Sequence, residues 1–383
     1  MLGLKSGKIL KKIFISFFIS LVISFFIFSQ SSDKVNDIHL FPLDELQVDD
    51  NTGTIRLYFK LEKAKLVNPE WDLKGTVVKR ESPTTGKGGY FLIEPLGGLK
   101  TSNFDVQESP KGEDRFVKIT EWESDLKIIS APKNANIFSV LLLDVSGSIT
   151  RSVDGKSKPV LEELKKAAIT FIDSMKVEDN KQLAIYAFDG REDLITISDF
   201  SGNPNSLKSK IKALDNSITK DLSTNLYGAI VKAIEALDKK LEENKNPENI
   251  LSGTLTIFTD GTDRARRLGS NGFDIVLENM NKIKKVRKNV YIYTIGLGRE
   301  YSEKVLRDFG IDGYRSALST SAMTAIFKEL GQNIESLTKC YYKLEYKTPS
   351  RKGSGAMRLI IWVKDGIYSG GYRFTFNTDN FNF

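Results

Sequence analysis

An acid and two serines follow a run of apolar residues in the stretch LLLDVSGSIT, residues 141–150. Asp144, Ser146 and Ser148 alternate along the chain, and alternate residues of an extended segment point to the same side. One carboxylate and two hydroxyls are all oxygen donors, which are the ligands that a hard cation prefers. The stretch therefore predicts a divalent-cation site, with Mg²⁺ favoured and Mn²⁺ or Ca²⁺ as alternatives.

Two later residues add oxygen donors to this pattern. Asp260 follows the apolar run TLTIFT, and Thr224 precedes the helical pattern LYGAIVKAIEALDKKLEEN. In parallel sheets, the carboxyl ends of the strands form the edge at which α/β proteins bind their ligands. We therefore expect Thr224 and Asp260 to lie beside the donors of the first stretch.

Each of these residues also has an ordinary structural interpretation. Ser223 or Thr224 would serve as a helix N-cap. Asp260 and Gly261 would form a strand-ending turn, and Asp144 with its serines would form an Asx-type loop. Their joint occurrence at one edge of a sheet favours the cation site over these separate explanations.

The elements that must position these residues alternate between residues 135 and 339. We predict strands at 137–144, 182–189, 194–200, 254–260, 289–298 and 313–318, and helices at 160–175, 226–244, 273–288 and 324–339. Near-continuous apolar strands that alternate with helices predict an α/β domain with a doubly wound, mostly parallel open sheet, covered on both faces.

This combination resembles the von Willebrand factor type A (vWA) family. The metal-ion-dependent adhesion site (MIDAS) of that family is written D-x-S-x-S, then a later Thr, then a later Asp after an apolar strand. The matching positions in this sequence are Asp144, Ser146, Ser148, Thr224 and Asp260. The resemblance covers about residues 135–339 and implies a Rossmann-like fold.

The resemblance also implies a role for each ligand. Ser146 and Ser148 would coordinate the ion directly, and Asp144 would lie in the same shell. Thr224 or Asp260 would join through the ion or its waters, depending on conformation. With few direct carboxylates the ion keeps net positive charge, and an open position can accept a Glu or Asp carboxylate from a protein partner.

We expect this site to bind a partner and not to catalyse a reaction, because the pattern places no general base against a nucleophile. The loop after Asp260 carries Arg264, Arg266 and Arg267. These arginines would either steer an acidic partner toward the ion or form a solvated loop. By resemblance, the helix at 324–339 would shift along the sheet when the metal site changes state, and so transmit binding to the strands that follow.

Residues 33–134 and 340–383 carry strand patterns of a different kind. Strand-like segments occur at 54–62, 75–81, 90–96, 115–123 and 126–130, and again after residue 341. Asp365-Gly366 between apolar runs predicts a hairpin. From their shared composition, we expect the two flanks to be antiparallel and to form one accessory β domain, interrupted by the α/β domain at 135–339.

The first 32 residues have the pattern of an export segment. Four lysines precede the uncharged apolar run Ile13–Phe28. This pattern predicts either a cleaved signal peptide or a retained membrane anchor, which would be the protein's contact with the membrane. Either way, we expect residues 33–383 to be exported to the cell envelope, as a periplasmic or surface domain.

Composition excludes several kinds of site. The 383 residues include one histidine, His39, and one cysteine, Cys340, which excludes an intramolecular disulfide and a Cys/His zinc cluster. We expect Cys340 to be a small apolar residue at a helix-to-strand junction. The net charge of +7 comes from dispersed lysines without interleaved aromatic residues, so we expect no nucleic-acid partner. Residues 85–89 lack the pattern of a phosphate loop, so we expect no nucleotide.

The sequence therefore predicts an exported vWA protein that binds an acidic residue of a protein ligand through a divalent cation. Adhesion to an external ligand and service as a subunit of an envelope assembly are both compatible with it. A subunit of an ATP-driven complex, or a scaffold that the metal merely stabilises, are the alternatives from other classes.

Overall fold

The computed structural model describes residues 36–68, 76–83, 85–130, 134–150, 160–246, 249–287 and 289–383. Within them, one sheet has eleven strands and the other has six. The predicted export segment, residues 1–32, lies outside the described residues. In the part of the chain that the structure describes, no helix is long and apolar enough to cross a membrane.

The strands in chain order are β1 (Asn36–Pro42), β2 (Gln47–Asp49), β3 (Thr54–Val67), β4 (Thr76–Glu81), β5 (Gly88–Pro95), β6 (Phe104–Pro110), β7 (Val117–Ile119), β8 (Lys127–Ser130), β9 (Ala135–Asp144), β10 (Lys181–Phe188), β11 (Ile195–Ser201), β12 (Ile250–Thr259), β13 (Val290–Leu297), β14 (Gly313–Ala317), β15 (Tyr341–Lys347), β16 (Ala356–Asp365) and β17 (Tyr368–Asn377). The α-helices are α1 (Glu121–Ser124), α2 (Gly147–Thr150), α3 (Val160–Met175), α4 (Pro204–Lys212), α5 (Leu226–Glu243), α6 (Gly272–Val286), α7 (Glu303–Phe309) and α8 (Thr320–Leu337).

The six-stranded sheet is the centre of the α/β domain, which runs from β9 to α8. Its strand order is β11-β10-β9-β12-β13-β14, and every pair is parallel except β10 with β11. One face packs against α3, α4 and α8, and the other packs against α5, α6 and α7. Because both faces are covered, β9 and β12 are buried along almost their whole length. The predicted doubly wound, mostly parallel fold is confirmed.

Strands from both flanks of the α/β domain pair in the eleven-stranded sheet. β1 runs parallel to β17, and β6 pairs with β16 in the antiparallel direction. β15 lies between β3 and β8. The side chains between these strands form a separate apolar core. The domain boundaries at residues 134 and 339 stay a prediction.

The two sheets meet at the amino ends of the α/β strands. An apolar cluster joins the sheets there, and its members are Leu43, Tyr58, Ala135, Ile250, Cys340 and Tyr341. Lys60, which is buried beside this cluster, donates to Glu62 Oε1 at 3.1 Å and to the Tyr291 hydroxyl at 2.8 Å. Burial alone would lower the pKa of Lys60, but the charge and hydrogen bond of Glu62, together with the nearby Tyr341 and Cys340, outweigh burial and hold the pKa above its usual value. The interface therefore contains a buried ion pair.

Local predictions in the flanks have mixed outcomes. The predicted strand at 115–123 is wrong in its second half, where β7 ends at Ile119 and α1 begins at Glu121. The Thr120 hydroxyl caps that helix by accepting from the Glu123 amide at 3.1 Å. The Asp365-Gly366 hairpin is confirmed between β16 and β17, with Gly366 at φ 60°. Cys340 is buried between α8 and β15, as predicted.

Candidate metal centre

Five predicted ligands lie on three loops at the carboxyl edge of the α/β sheet. Asp144 is the last residue of β9, and α2 begins within the same motif at Gly147. Asp260 directly follows β12, the neighbour of β9 in the sheet. Thr224 lies two residues before α5. Because adjacent parallel strands end here, the sheet itself brings the three loops together.

Hydrogen bonds connect the loops that carry Asp144 and Asp260. The Asp144 carboxylate accepts from the Ser146 amide at 2.8 Å and from the Thr259 hydroxyl at 2.6 Å. The Ser148 hydroxyl donates to Asp260 Oδ1 at 2.9 Å, and the hydroxyl oxygens of Ser146 and Ser148 are 3.5 Å apart. The bond to Ser146 is the Asx-type turn considered from the sequence, but it accounts for only one of the two Asp144 oxygens.

Thr224 is not the N-cap of the helix that follows it. Asn225 has that role, since its side chain accepts from the Gly228 amide. The Thr224 carbonyl accepts from the amides of Arg264 and Ala265 at 2.9 and 3.0 Å, which fixes its position beside the Asp260 loop. Within the described residues the Thr224 hydroxyl has no hydrogen-bond partner, and it lies 3.6 Å from where a Cβ of Gly261 would be. It is therefore a buried oxygen donor aimed at the loop of Asp260.

The spacing of these donors fits a small octahedral cation. Adjacent ligands about 2.1 Å from Mg²⁺ lie about 3.0 Å from each other. The Ser148–Asp260 and Ser146–Ser148 oxygen distances of 2.9 and 3.5 Å bracket this value. Carboxylate and hydroxyl oxygens are also the donor types that Mg²⁺ and Mn²⁺ accept. The residues present are therefore suited to hold such an ion.

The electrostatics of the two carboxylates agree with that fit. Burial raises the pKa of Asp144, and the negative charge of Asp260 raises it further. Burial also raises the pKa of Asp260, with an added contribution from Glu300. Two poorly solvated carboxylates with this mutual repulsion are costly to ionise together, and a divalent cation between them would favour their charged forms.

A third acid, Asp189, organises the loop that carries Thr224. Asp189 is buried directly after β10, and its carboxylate accepts from the amides of Lys220 and Asp221 at 2.9 and 3.2 Å. The Arg191 side chain also donates to Asp189, at 3.0 Å. Burial would raise the pKa of Asp189, but these hydrogen bonds outweigh it and hold the pKa below its usual value. Both oxygens of this carboxylate accept hydrogen bonds, which hold the loop of Thr224 next to β10.

Asp189, Thr259 and Glu300 also lie at this edge, although the sequence motif does not include them. The signal for Asp189 was present, since it follows an apolar strand just as Asp144 and Asp260 do. Thr259 is the last residue of β12 and reads as an ordinary β-branched strand residue. Only the register of β9 with β12 places its hydroxyl against Asp144.

The three loop arginines differ in their contacts. Arg264 pairs with Glu300 at 3.2 Å, and both side chains are exposed. Arg267 donates to the Gly190 carbonyl at 2.9 Å and to Asp221 at 3.3 Å. Arg266 is exposed and adopts φ 50°. Two of the predicted steering charges therefore have acidic partners within the protein, which reduces the positive field that they present.

Among the described residues there is no group of three or more His, Cys, Asp or Glu side chains that could hold a metal ion. The predicted ligand set is of another kind, because it contains two carboxylates and its remaining donors are hydroxyls. Such a set leaves more positive charge on a bound divalent ion than an all-carboxylate site would.

Comparison with known proteins agrees with the architecture of the α/β domain. Residues 139–262 match the family described as the von Willebrand factor type A domain. The match begins within β9, ends just after Asp260 and contains all five predicted ligands. It covers less than half of the chain. The α/β domain has a vWA-like fold.

The chain is also similar in fold to several solved structures. For proximal thread matrix protein 1 from the mussel byssus, the sequence identity is 17%, the TM-score is 0.42, and the match covers 53% of this chain and 49% of that chain. The chain thus spans about half the length of that protein, at 49%. For the conserved hypothetical protein BatB from Bacteroides thetaiotaomicron, the identity is 18%, the TM-score is 0.38, and the match covers 52% of this chain and 98% of that chain.

A von Willebrand factor type A protein from Catenulispora acidiphila is 11% identical, with a TM-score of 0.42, over 91% of this chain and 74% of that chain. Similarities as distant as these three carry no argument about what this chain binds. No curated protein matches the chain significantly.

Proposed function

We propose that the α/β domain binds a divalent cation, with Mg²⁺ preferred, and through it an acidic residue of a protein partner. The ligands would be Asp144, Ser146, Ser148, Thr224 and Asp260. The bound ion would supply residual positive charge and an open coordination position for a Glu or Asp carboxylate. The observation that carries this proposal is the convergence of oxygen donors from three loops around two carboxylates with raised pKa values.

The protein residues prepare the site for binding and not for turnover. Asp144 is held by Ser146 and Thr259, and Ser148 by Asp260. In the described part of the chain no histidine or lysine side chain forms a hydrogen bond with the hydroxyl of Ser146 or Ser148, and the acid that Ser148 contacts, Asp260, would itself be a ligand of the ion. We therefore propose a non-enzymatic role.

The proposed setting is the cell envelope. Its support is the apolar run Ile13–Phe28 behind four lysines, which would export the folded part of the chain and would anchor it if uncleaved. A partner would then be another envelope component or a ligand outside the cell. Both supply protein surfaces with exposed acidic residues.

Metal binding by the purified chain tests the first part of the proposal. Mn²⁺ serves as the probe because it shares the oxygen-ligand preference of Mg²⁺ and its paramagnetism reports binding. We expect Ser148→Ala to weaken Mn²⁺ binding at least about tenfold, since it removes a hydroxyl ligand. Ser270→Ala, an exposed serine on the neighbouring loop, is the matched control and should bind as the wild type does.

Retention on immobilised peptides tests whether the ion binds an acidic residue of a partner. Peptides with a single Glu should retain the full chain in Mg²⁺ but not in chelator, and the same peptides with Gln should retain it in neither. Equal Mn²⁺ affinity in the wild type and Ser148→Ala would refute the metal site. Equal retention on Glu and Gln peptides would refute the carboxylate partner.

A further inference from the structure

Leu222 is an exposed leucine that lies against the metal motif. Its carbonyl accepts from the Gly147 amide at 3.1 Å. A Cβ at Gly147 would lie 3.2 Å from the Cβ and the Cδ2 of Leu222. The leucine side chain therefore covers the residue between Ser146 and Ser148, and it is still 48% exposed.

The loop that carries Leu222 is held rigidly on both sides. The amides of Lys220 and Asp221 are bound by Asp189, and the Ser223 amide and hydroxyl donate to Asp221 at 3.0 and 2.7 Å. The guanidinium of Arg267 links Asp221 to the Gly190 carbonyl on the adjacent loop. Because these contacts fix the backbone, Leu222 is presented to solvent in one position, with little ordering required when a partner arrives.

Single exposed leucines are common on protein surfaces and have no meaning by themselves. Leu222 differs because of what it adjoins. Ser148, the residue after Gly147, is exposed and contacts Asp260, so a partner carboxylate bound beside Ser148 would bring its own neighbouring residues close to Leu222. The residue next to that carboxylate would then lie over Leu222, and an apolar side chain there would remove apolar surface from water.

We propose that Leu222 is a specificity-determining contact, which selects protein segments that carry an apolar side chain beside the metal-binding acid. The inference rests on the proposed function of the site and adds the chemistry of the partner. Ser146, Ser148 and Asp260 would set the requirement for a carboxylate, and Leu222 would discriminate among acidic segments.

The test uses the purified full chain and a peptide array in Mg²⁺ and in chelator. Each peptide has one Glu in a Gly/Ser background, and the residues beside the Glu are Leu, Phe, Ser or Lys. We expect peptides with Leu or Phe to be retained about fivefold better than those with Ser. In Leu222→Ser this ratio should fall to about one, while the magnesium-dependent retention of the Ser peptides is unchanged.

Leu318→Ser is the matched control. Leu318 is 74% exposed and follows β14 at the same edge of the sheet, but β13 separates β14 from β12. This variant should keep the wild-type preference. Mn²⁺ affinity should be equal in the wild type and Leu222→Ser, because the substitution removes no ligand.

Four outcomes would overturn the inference. Magnesium-dependent binding without any preference for Leu or Phe would overturn this inference but not the proposed function. A preference that persists in Leu222→Ser would do the same. A loss of Mn²⁺ affinity in Leu222→Ser would make Leu222 a support of the metal loop and not a partner contact. If no Glu peptide is retained in a magnesium-dependent way, the proposed function fails and this inference fails with it.

Discussion

At the residue scale, Thr224 differs in the contacts of its backbone and of its side chain. Its backbone carbonyl is bound by two amides of the Asp260 loop, whereas its side-chain hydroxyl has no partner among the described residues. The neighbouring Asn225 takes the capping role that a threonine at a helix start often has. Asn225 therefore caps the helix, and the hydroxyl of Thr224 stays available for the proposed ion. We expect substitution of the two residues to have different measurable effects.

Substitution separates the two roles. Thr224→Val keeps the shape and removes a hydroxyl that makes no internal hydrogen bond, so we expect the free energy of unfolding without metal to change little. Its Mn²⁺ affinity should fall about tenfold. Asn225→Ala removes the cap and should lower the free energy of unfolding by about 1 kcal/mol. Urea unfolding in chelator and Mn²⁺ titration of both variants measure these effects. An unchanged Mn²⁺ affinity in Thr224→Val would contradict the role of the hydroxyl.

At the element scale, α3 and α8 pack unusually close to each other at one glycine. A Cβ at Gly331 would lie 2.8 Å from the Phe171 carbonyl oxygen and 2.8 Å from the Ser174 Cβ. The chain leaves α8 at Leu337 and enters β15 at Tyr341, where β3 and β8 hold it on both sides. A shift of α8 along the sheet, as the family resemblance implies, would have to break this contact and also move β15.

Alanine usually stabilises a helix relative to glycine, but the close contact predicts the opposite order at residue 331. Gly331→Ala should lower the free energy of unfolding by about 1–3 kcal/mol, because the backbone of α3 must move to admit the methyl group. Ala325→Gly, at an exposed position of α8, should lower it by about 1 kcal/mol through helix propensity alone. Urea unfolding of both variants gives the comparison. A more stable Gly331→Ala would show that the helices are not in contact there.

The elements that the sequence predicted best were those with one dominant physical signal. The long apolar strands and the helix at 160–175 were placed within a few residues, because continuous burial and amphipathic spacing both leave a clear pattern. α4 was missed although Asn203 caps it and Pro204 begins it, since its apolar stripe is only Leu207 and Ile211. β6 was missed because its buried face includes a polar residue, Glu108, which is satisfied by the Tyr346 and Thr348 hydroxyls. Both hydroxyls belong to residues near the C-terminal end of the chain, so the sequence around β6 does not reveal them.

In the candidate site, too, some features can be predicted from the sequence and others depend on the fold. The five predicted ligand positions follow from the resemblance to the family motif and from the rule that parallel strands end at a common edge. The contacts of Thr259 and Asp189 depend on strand register and on the loop of Lys220 and Asp221, whose amides reach the end of β10. The ion pair of Arg264 with Glu300 joins loops after two different strands, so the sequence showed the arginine but not the charge that offsets it.

At the scale of the whole molecule, the ion pair of Lys60 and Glu62 is buried where the two sheets meet, with the Tyr291 hydroxyl from the α/β domain completing the contact. A buried pair adds little net stability compared with apolar residues, but loss of one partner is strongly unfavourable. Both charges lie on β3, and the hydrogen bond from Lys60 to Tyr291 links the pair to the α/β domain.

A double-mutant cycle measures how strongly the two charges are coupled. Lys60→Met removes the cation beside a buried carboxylate, and we expect it to lower the free energy of unfolding by roughly 3 kcal/mol. Lys60→Met with Glu62→Met should lose less than the sum of the single variants. Lys127→Met, which removes an exposed pair with Asp125, should cost less than about 1 kcal/mol. Additive losses at Lys60 and Glu62 would argue against the pair.

The chain leaves the eleven-stranded sheet after β8 to form the α/β domain, and it returns to that sheet at β15, which pairs with β8. Ser130 at the end of β8 is the register partner of Tyr342 near the start of β15, so the two connections are separated by about 5 Å. An insertion with such close ends does not require the host sheet to open or to change register. In evolutionary terms the β8–β15 junction is an insertion point, where a domain whose termini are close together can be acquired, lost or exchanged while the host strands keep their partners.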